Sequence, residues 1–294
     1  MGDPRHTLLS RRKLLAMLAA AHAVRSGTNL DACMGGASGS ALLVDLATRR
    51  TIAAHRPEVA AAELNPPGST IKPLALAALT AAGKLGVNEG FPCPGRLTIA
   101  GQPLPCSHPP VATPMTVRTA IAYSCNGFVA HFAQRFAAGE LAAYLERSGL
   151  ASRSGLLSEI PNSAQASGEI EPAAAGPPSQ LQALGERRIA VTAAGLAVAY
   201  RSLALAAPPA ILEGLEDAVA YGTAQRAAVE NLAVAGKTGS LRTQSGKLVA
   251  WFAGFAPSRA PRVVVTVMLQ ARSGGADAAP VAGRILSAWQ AGKL

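Results

Sequence analysis

Apolar positions in this chain fall into two regimes: short dense runs toward both ends and helix-spaced runs in the middle. Residues 41–46 (Ala-Leu-Leu-Val-Asp-Leu) predict a buried strand, 47–50 a turn, and 51–55 its hairpin partner. Pro66-Pro67-Gly68 breaks the pattern, and an Ala/Leu-rich helix is predicted over about 69–84, ending near Gly86. Residues 91–114, rich in Pro and Gly, predict a loop. Two helical stretches, 116–123 and 128–147, flank a short polar tripeptide. Residues 151–180 combine Ser, Gly, Pro and Ala with little periodicity, which predicts a mobile surface loop or a flap. Helical spacing returns over 189–206. Residues 233–241, 248–256 and 262–270 then alternate or run apolar like three strands, and a helix is predicted over 277–291. No internal repeat is visible. Strands from both ends can join in one antiparallel five-stranded sheet, flanked by helices and carrying a mostly helical subdomain. The fold class is α/β of the α+β type, because no βαβ repeat occurs.

Composition narrows the picture. Hydrophobic residues make up 49%, enough for a sizeable core, so a disordered chain is excluded. No apolar run reaches the roughly 18 residues a bilayer span needs, which excludes a multi-span membrane protein. Residues 1–23 read as an export signal peptide: Arg11, Arg12 and Lys13 precede an apolar run from Leu14 to Val24, and Ala21-His22-Ala23 offers a cleavage site. Ser10-Arg11-Arg12-Lys13-Leu14-Leu15 resembles a twin-arginine signal, so both export routes stay open; the bland alternative is a cytosolic basic helix. On this reading residues 24–294 form one exported domain, periplasmic or in the cell envelope, without a transmembrane anchor. Cleavage after Ala23 leaves 23 Lys+Arg against 16 Asp+Glu, spread without basic runs or interleaved aromatics, which argues against a nucleic-acid partner.

Four cysteines are present, Cys33, Cys93, Cys106 and Cys125, none in a CxxC pair, so no zinc site is expected. In an oxidising compartment Cys93 and Cys106 are disulfide candidates across a short loop; two free buried thiols are the alternative. Cys125 reads as a buried small hydrophobe and His131 as a core or surface residue rather than a base. Glu169 and Glu171 read as solvated. Neither a metal-ligand cluster nor a Gly-rich phosphate cradle is apparent, and no cofactor is expected.

Three short motifs carry chemistry. Ser69-Thr70-Ile71-Lys72 opens the first predicted helix and sets a hydroxyl and an amine on one face. A serine is a weak nucleophile without an adjacent base, and the helix N-terminus aims N–H groups at any oxyanion formed there. Ser124-Cys125-Asn126 sits between helices, where a hydroxyl can relay a proton and an amide can hold a peptide carbonyl. Lys237-Thr238-Gly239-Ser240 begins a strand. Its lysine and hydroxyls suit a carboxylate, and Gly239 lets a ligand approach the backbone. Ser-x-x-Lys and Ser-x-Asn alone are weak, Lys-Thr-Gly is more informative, and the three in this order are the signature of active-site serine penicillin-interacting enzymes.

These motifs, within Leu64-Asn65-Pro66-Pro67-Gly68-Ser69-Thr70-Ile71-Lys72-Pro73 and ahead of Ala250-Trp251-Phe252-Ala253-Gly254-Phe255, strongly resemble the transpeptidase domain of penicillin-binding proteins over about residues 36–272. Phe91-Pro92-Cys93-Pro94-Gly95 with Cys106, and Tyr221-Gly222-Thr223-Ala224, resemble family segments too. The resemblance implies a β-lactamase/transpeptidase-like fold. It implies Ser69 as acylated nucleophile, Lys72 as general base and Ser124 as proton shuttle to the leaving amine. Asn126 then holds the donor amide, and Lys237, Thr238 and Ser240 bind the terminal carboxylate. The N–H groups of Ser69 and Ser240 form the oxyanion hole, and the strand over 237–242 pairs with an extended stem peptide.

The implied function is a peptidoglycan D,D-transpeptidase inhibited by penicillin, with stem peptides and β-lactams as ligands and a separate glycan polymerase as partner. A D,D-carboxypeptidase and a non-catalytic penicillin- or peptidoglycan-binding module are the alternatives; the intact residue set favours an enzyme. Departures are the absence of a glycosyltransferase domain or pedestal before Ser69, and Leu184-Gly185-Glu186-Arg187 where the family usually reads Gly-Gln-Gly.

Overall fold

A computed structural model describes residues 28–243 and 245–294; the expected export signal lies outside them. Five antiparallel strands form the sheet, as the hydrophobic pattern predicts, and a two-residue sixth strand adds to its edge in parallel. The strands are β1 (Thr28–Asn29), β2 (Gly39–Asp45), β3 (Thr51–His55), β4 (Ala235–Arg242), β5 (Leu248–Ala256) and β6 (Val263–Leu269). Their spatial order is β1-β3-β2-β6-β5-β4, which brings the two ends of the chain together at the β2–β6 pair. Among the described residues β4 pairs only with β5, so its outer edge is open.

The central strands are apolar at nearly every position because both faces of the sheet are covered. Leu42, Val44, Trp251, Phe255 and Val264 enter one core, while Leu43, Phe252, Val265 and Val267 enter the other. Successive side chains of a strand point to opposite faces, so a continuous apolar run is what two covered faces require. Ser40 and Thr266 are buried polar exceptions; the Thr266 hydroxyl donates to the Ala193 carbonyl at 3.2 Å.

Helices α1 (Lys72–Ala81), α2 (Val117–Ala122), α3 (Asn126–Ala133), α4 (Glu140–Arg147) and α5 (Pro177–Ala183) build the helical subdomain on the first face. With α6 (Ala193–Ala206) they share the first core; α7 (Pro209–Ala220) gives Ile211 and Leu215 to that core and Ala218 and Val219 to the second, which α8 (Ala279–Gln290) covers. Two expectations are corrected. The predicted helix over 128–147 is two helices, since Gly139, at φ +73°, restarts the chain as α4. The supposed loop over 151–180 contains the start of α5 and a short strand, 169–170, paired with 189–190. Helix α7, in a stretch with no predicted element, starts at Pro208-Pro209, where proline lacks no needed N–H.

Candidate active site

Ser69 stands in a tight 3-10 turn, Gly68–Ile71, that runs directly into α1. Two buried ring donors hold this turn: Tyr200 Oη donates to the Thr70 carbonyl at 2.8 Å and Trp251 Nε1 to the Pro66 carbonyl at 3.0 Å. Gly68 adopts φ +52°, and its N–H donates to the Gly185 carbonyl at 3.1 Å. A Cβ on Gly185 would stand 2.2 Å from the Gly68 carbonyl oxygen, so the 184–187 segment fits only through that glycine. The edge strand closes in from the other side. A Cβ on Gly239 would lie 2.7 Å from the Pro67 oxygen and 3.3 Å from the Thr70 nitrogen. Glycine at 239 is therefore what lets β4 touch the serine turn.

Lys72 is fully buried. Its Nζ donates to the Ser124 carbonyl at 2.7 Å, to Ser124 Oγ at 3.3 Å and, in a short contact, to Asn126 Oδ1. The first two motifs thus meet at one ammonium. Ser124 is held at φ +58°, a left-handed conformation unusual for a residue with a Cβ, and this turns both its oxygens toward Lys72. Asn126 opens α3 and gives its Nδ2 to the carbonyls of Leu104 and Pro105, at 3.2 and 3.1 Å. Burial lowers the Lys72 pKa to about 8, while Cys125, Cys106 and Glu186 act in the opposite direction.

Lys237 is also fully buried, on β4, and donates to the Thr238 carbonyl at 3.0 Å and to Thr223 Oγ1 at 3.5 Å. Burial pushes its amine well below the usual lysine range, and the Lys72 charge pushes it the same way. Thr238 Oγ1 donates to Thr223 Oγ1 at 3.0 Å, and the Thr223 N–H reaches the Ala122 carbonyl two residues before Ser124. The exposed Ser240 accepts from the Gly274 N–H at 2.8 Å. All eight site residues expected from sequence therefore gather around one turn and one strand edge. Pattern alone does not single out Thr223, Tyr200, Trp251 or Gly185, because their roles are contacts between distant segments. A groove of about 530 Å³ continues alongside, lined among others by Pro66, Gln102, Glu186, Leu241 and Thr243. Burial raises the Glu186 carboxyl, and the Lys72 charge opposes that rise.

Two cysteine expectations are corrected. Cys93 and Cys106 are free thiols, not a disulfide: their Sγ atoms stand 3.4 Å apart, well beyond a covalent S–S bond of about 2.05 Å, and a third sulfur, Cys125 Sγ, lies 3.8 Å from Cys106. Donation from the Cys125 thiol holds Cys106 low, at about 4, and drives Cys125 up. The expectation of no metal-ligand cluster also fails: the ligand atoms of Cys93, Cys106, His108 and Cys125 all lie within 4.8 Å of one another. Spacing concealed it because the ligands come from a loop and a helix cap rather than CxxC pairs. His131 packs as expected, stacked on Phe91 with ring centroids 3.9 Å apart.

An α+β fold with a Ser-x-x-Lys turn seated against a Lys-Thr-Gly edge strand defines the class of active-site serine penicillin-recognising proteins. The family profile described as "Penicillin binding protein transpeptidase domain" matches residues 39–287, and the chain belongs to that family. A search of curated proteins finds no significant match. Among solved structures, the apo transpeptidase domain of Burkholderia pseudomallei penicillin-binding protein 3 superposes with a TM-score of 0.78 at 22% identity, covering 90% of this chain and 92% of that one. Pseudomonas aeruginosa PBP2, in complex with WCK 5153, gives a TM-score of 0.75 at 20% identity, covering 88% of this chain and 75% of that one.

Proposed function

We propose that this protein is a serine-type D,D-transpeptidase that cross-links peptidoglycan stem peptides outside the cytoplasm and is acylated by β-lactams. The observation that supports it best is the convergence of Ser124 and Asn126 on Lys72, one helical turn from Ser69 and beside the open β4 edge.

A stem peptide lies along β4 as an added strand, with its terminal carboxylate at Lys237, Thr238 and Ser240. Ser69 Oγ attacks the carbonyl of the penultimate D-alanine, and its proton passes to neutral Lys72. The N–H groups of Ser69 and Ser240 hold the oxyanion, while Asn126 orients the donor amide. Ser124 returns the proton to the leaving nitrogen, D-alanine departs, and an ester joins the peptide to Ser69. The amine of a second stem peptide then attacks that ester from the groove beside Glu186, giving the cross-link and restoring the serine. A separate glycan polymerase supplies the strands.

Fluorescent penicillin added to the purified protein is expected to label it covalently, and Ser69→Ala is expected to abolish the label. No label, or one that survives Ser69→Ala, overturns the proposal. Mass spectrometry of a D-alanyl-D-alanine stem peptide incubated with an amine acceptor is expected to give the cross-linked product. Hydrolysed peptide alone would make the protein a carboxypeptidase.

A further inference from the structure

Beside the acylation site, three sulfurs and one imidazole converge on a common point. Cys93, Cys106 and His108 come from the loop that joins α1 to α2, and Cys125 caps α3. Zinc–sulfur bonds of about 2.3 Å at tetrahedral angles set sulfurs roughly 3.7–3.8 Å apart. The Cys106–Cys125 separation is 3.8 Å, and Cys93 stands 3.4 Å from Cys106. His108 supplies the independent sign. Its Nδ1 lies 2.8 Å from the Pro109 carbonyl, which holds the proton on that nitrogen, and its Nε2 is buried with no hydrogen-bond partner among the described residues. A buried imidazole nitrogen with a free lone pair, aligned by a backbone carbonyl on the other side, is the arrangement a metal-binding histidine adopts. The sulfurs are prepared in the same way. Backbone N–H groups of Gly95, Gly127 and Phe128 donate to Cys93, Cys106 and Cys125, at 3.4, 3.4 and 3.3 Å.

We propose that Cys93, Cys106, His108 and Cys125 bind one zinc-type divalent cation, which ties the 91–114 loop to the Ser124–Asn126 turn. Three thiolates and a neutral imidazole select zinc over the oxygen-preferring magnesium and calcium, and four protein ligands close the shell as in a structural site. Binding takes all three sulfurs as thiolates, any thiol proton still present going to solvent, and the centre carries one net negative charge, offset by the three N–H groups. A Cys93–Cys106 disulfide would use two of the four groups and leave His108 Nε2 without a partner among the described residues. Position gives the metal its consequence. Cys125 lies between Ser124 and Asn126, and Asn126 bonds to Leu104 and Pro105 immediately before Cys106. Holding Cys106 and Cys125 together therefore holds the two acceptors of Lys72.

Elemental analysis of the full chain, purified without chelator, is expected to give one zinc per chain. Cobalt(II) added to chelator-treated protein is expected to give thiolate charge-transfer and tetrahedral visible bands that saturate at one equivalent. His108→Ala is expected to weaken cobalt binding at least tenfold, and Cys106→Ser to lower the charge-transfer intensity, in variants whose circular dichroism is unchanged. Chelation is expected to slow penicillin labelling of Ser69, and added zinc to restore it. A folded wild-type protein with no zinc and no tetrahedral cobalt spectrum overturns the site. So does an intact mass lower by two hydrogens with the missing pair mapped to Cys93 and Cys106, or cobalt affinity unchanged in His108→Ala. Metal content and Ser69 labelling are separate readouts, so failure of either proposal is seen independently of the other.

Discussion

On the proposed mechanism Lys72 is the base and must be neutral, and its burial, with no carboxylate hydrogen-bonded to it among the described residues, favours the neutral amine. The sign of the pH dependence follows. Below about 8 the amine is mostly protonated and cannot accept the Ser69 proton; above it the base is available. The second-order rate of β-lactam acylation is therefore expected to rise with pH and level off just above 8. A rate that stays flat across pH 6.5–9.5, in stopped-flow or gel labelling, would remove Lys72 as the base. Ser124 is expected to matter through its hydroxyl. Ser124→Ala leaves the backbone carbonyl and Asn126 on Lys72, yet labelling is expected to slow by roughly a hundred- to ten-thousand-fold, the range typical of one proton-transfer group. Acylation within tenfold of wild type would put the proton path elsewhere. These chemical residues are legible in sequence because nucleophile, base and amide must be of particular types at fixed short spacings. Thr223 stands in a segment quoted for the resemblance, but its role was not legible, because it lies in meeting Lys237 and Thr238 across the fold.

The functional unit among the elements is the contact between the serine turn and the edge strand. Gly239→Ala places a methyl group 2.7 Å from the Pro67 oxygen, so turn and strand must separate. The expected result is loss of penicillin labelling with little change in far-ultraviolet circular dichroism; labelling at the wild-type rate would mean that this contact does not shape the site. Tyr200→Phe removes the donor to the buried Thr70 carbonyl while keeping the ring. A buried acceptor left unpaired is expected to cost about 1–3 kcal/mol in denaturant unfolding. Strands and long helices were readable from periodicity because their faces repeat every two or about 3.6 residues. The loop over 91–114 was readable as a loop from its Pro and Gly, but its anchoring was not, since that is polar: Asn126 on two carbonyls, and sulfurs gathered from separate segments.

At the scale of the whole molecule, the covered sheet explains why the central strands lack polar alternation. Leu42 and Leu43 are adjacent and fully buried, but they enter different cores. Leu42→Ala and Leu43→Ala are each expected to destabilise by about 2–5 kcal/mol in chemical denaturation, and near-neutrality of either would mean that its face is open to solvent. The local order of residues was enough to define the five long strands, the Ser-x-x-Lys, Ser-x-Asn and Lys-Thr-Gly triplets, and the resemblance to the transpeptidase family, because hydrophobic period and motif spacing act over a few residues along the chain. Which distant groups meet is another matter. The seating of Gly239 on the serine turn, the Tyr200 and Trp251 anchors, the two faces of the sheet and the gathering of Cys93, Cys106, His108 and Cys125 all depend on packing between segments up to about two hundred residues apart. Such contacts leave no periodic trace in the chain, since their energy depends on position in space and not on order in sequence.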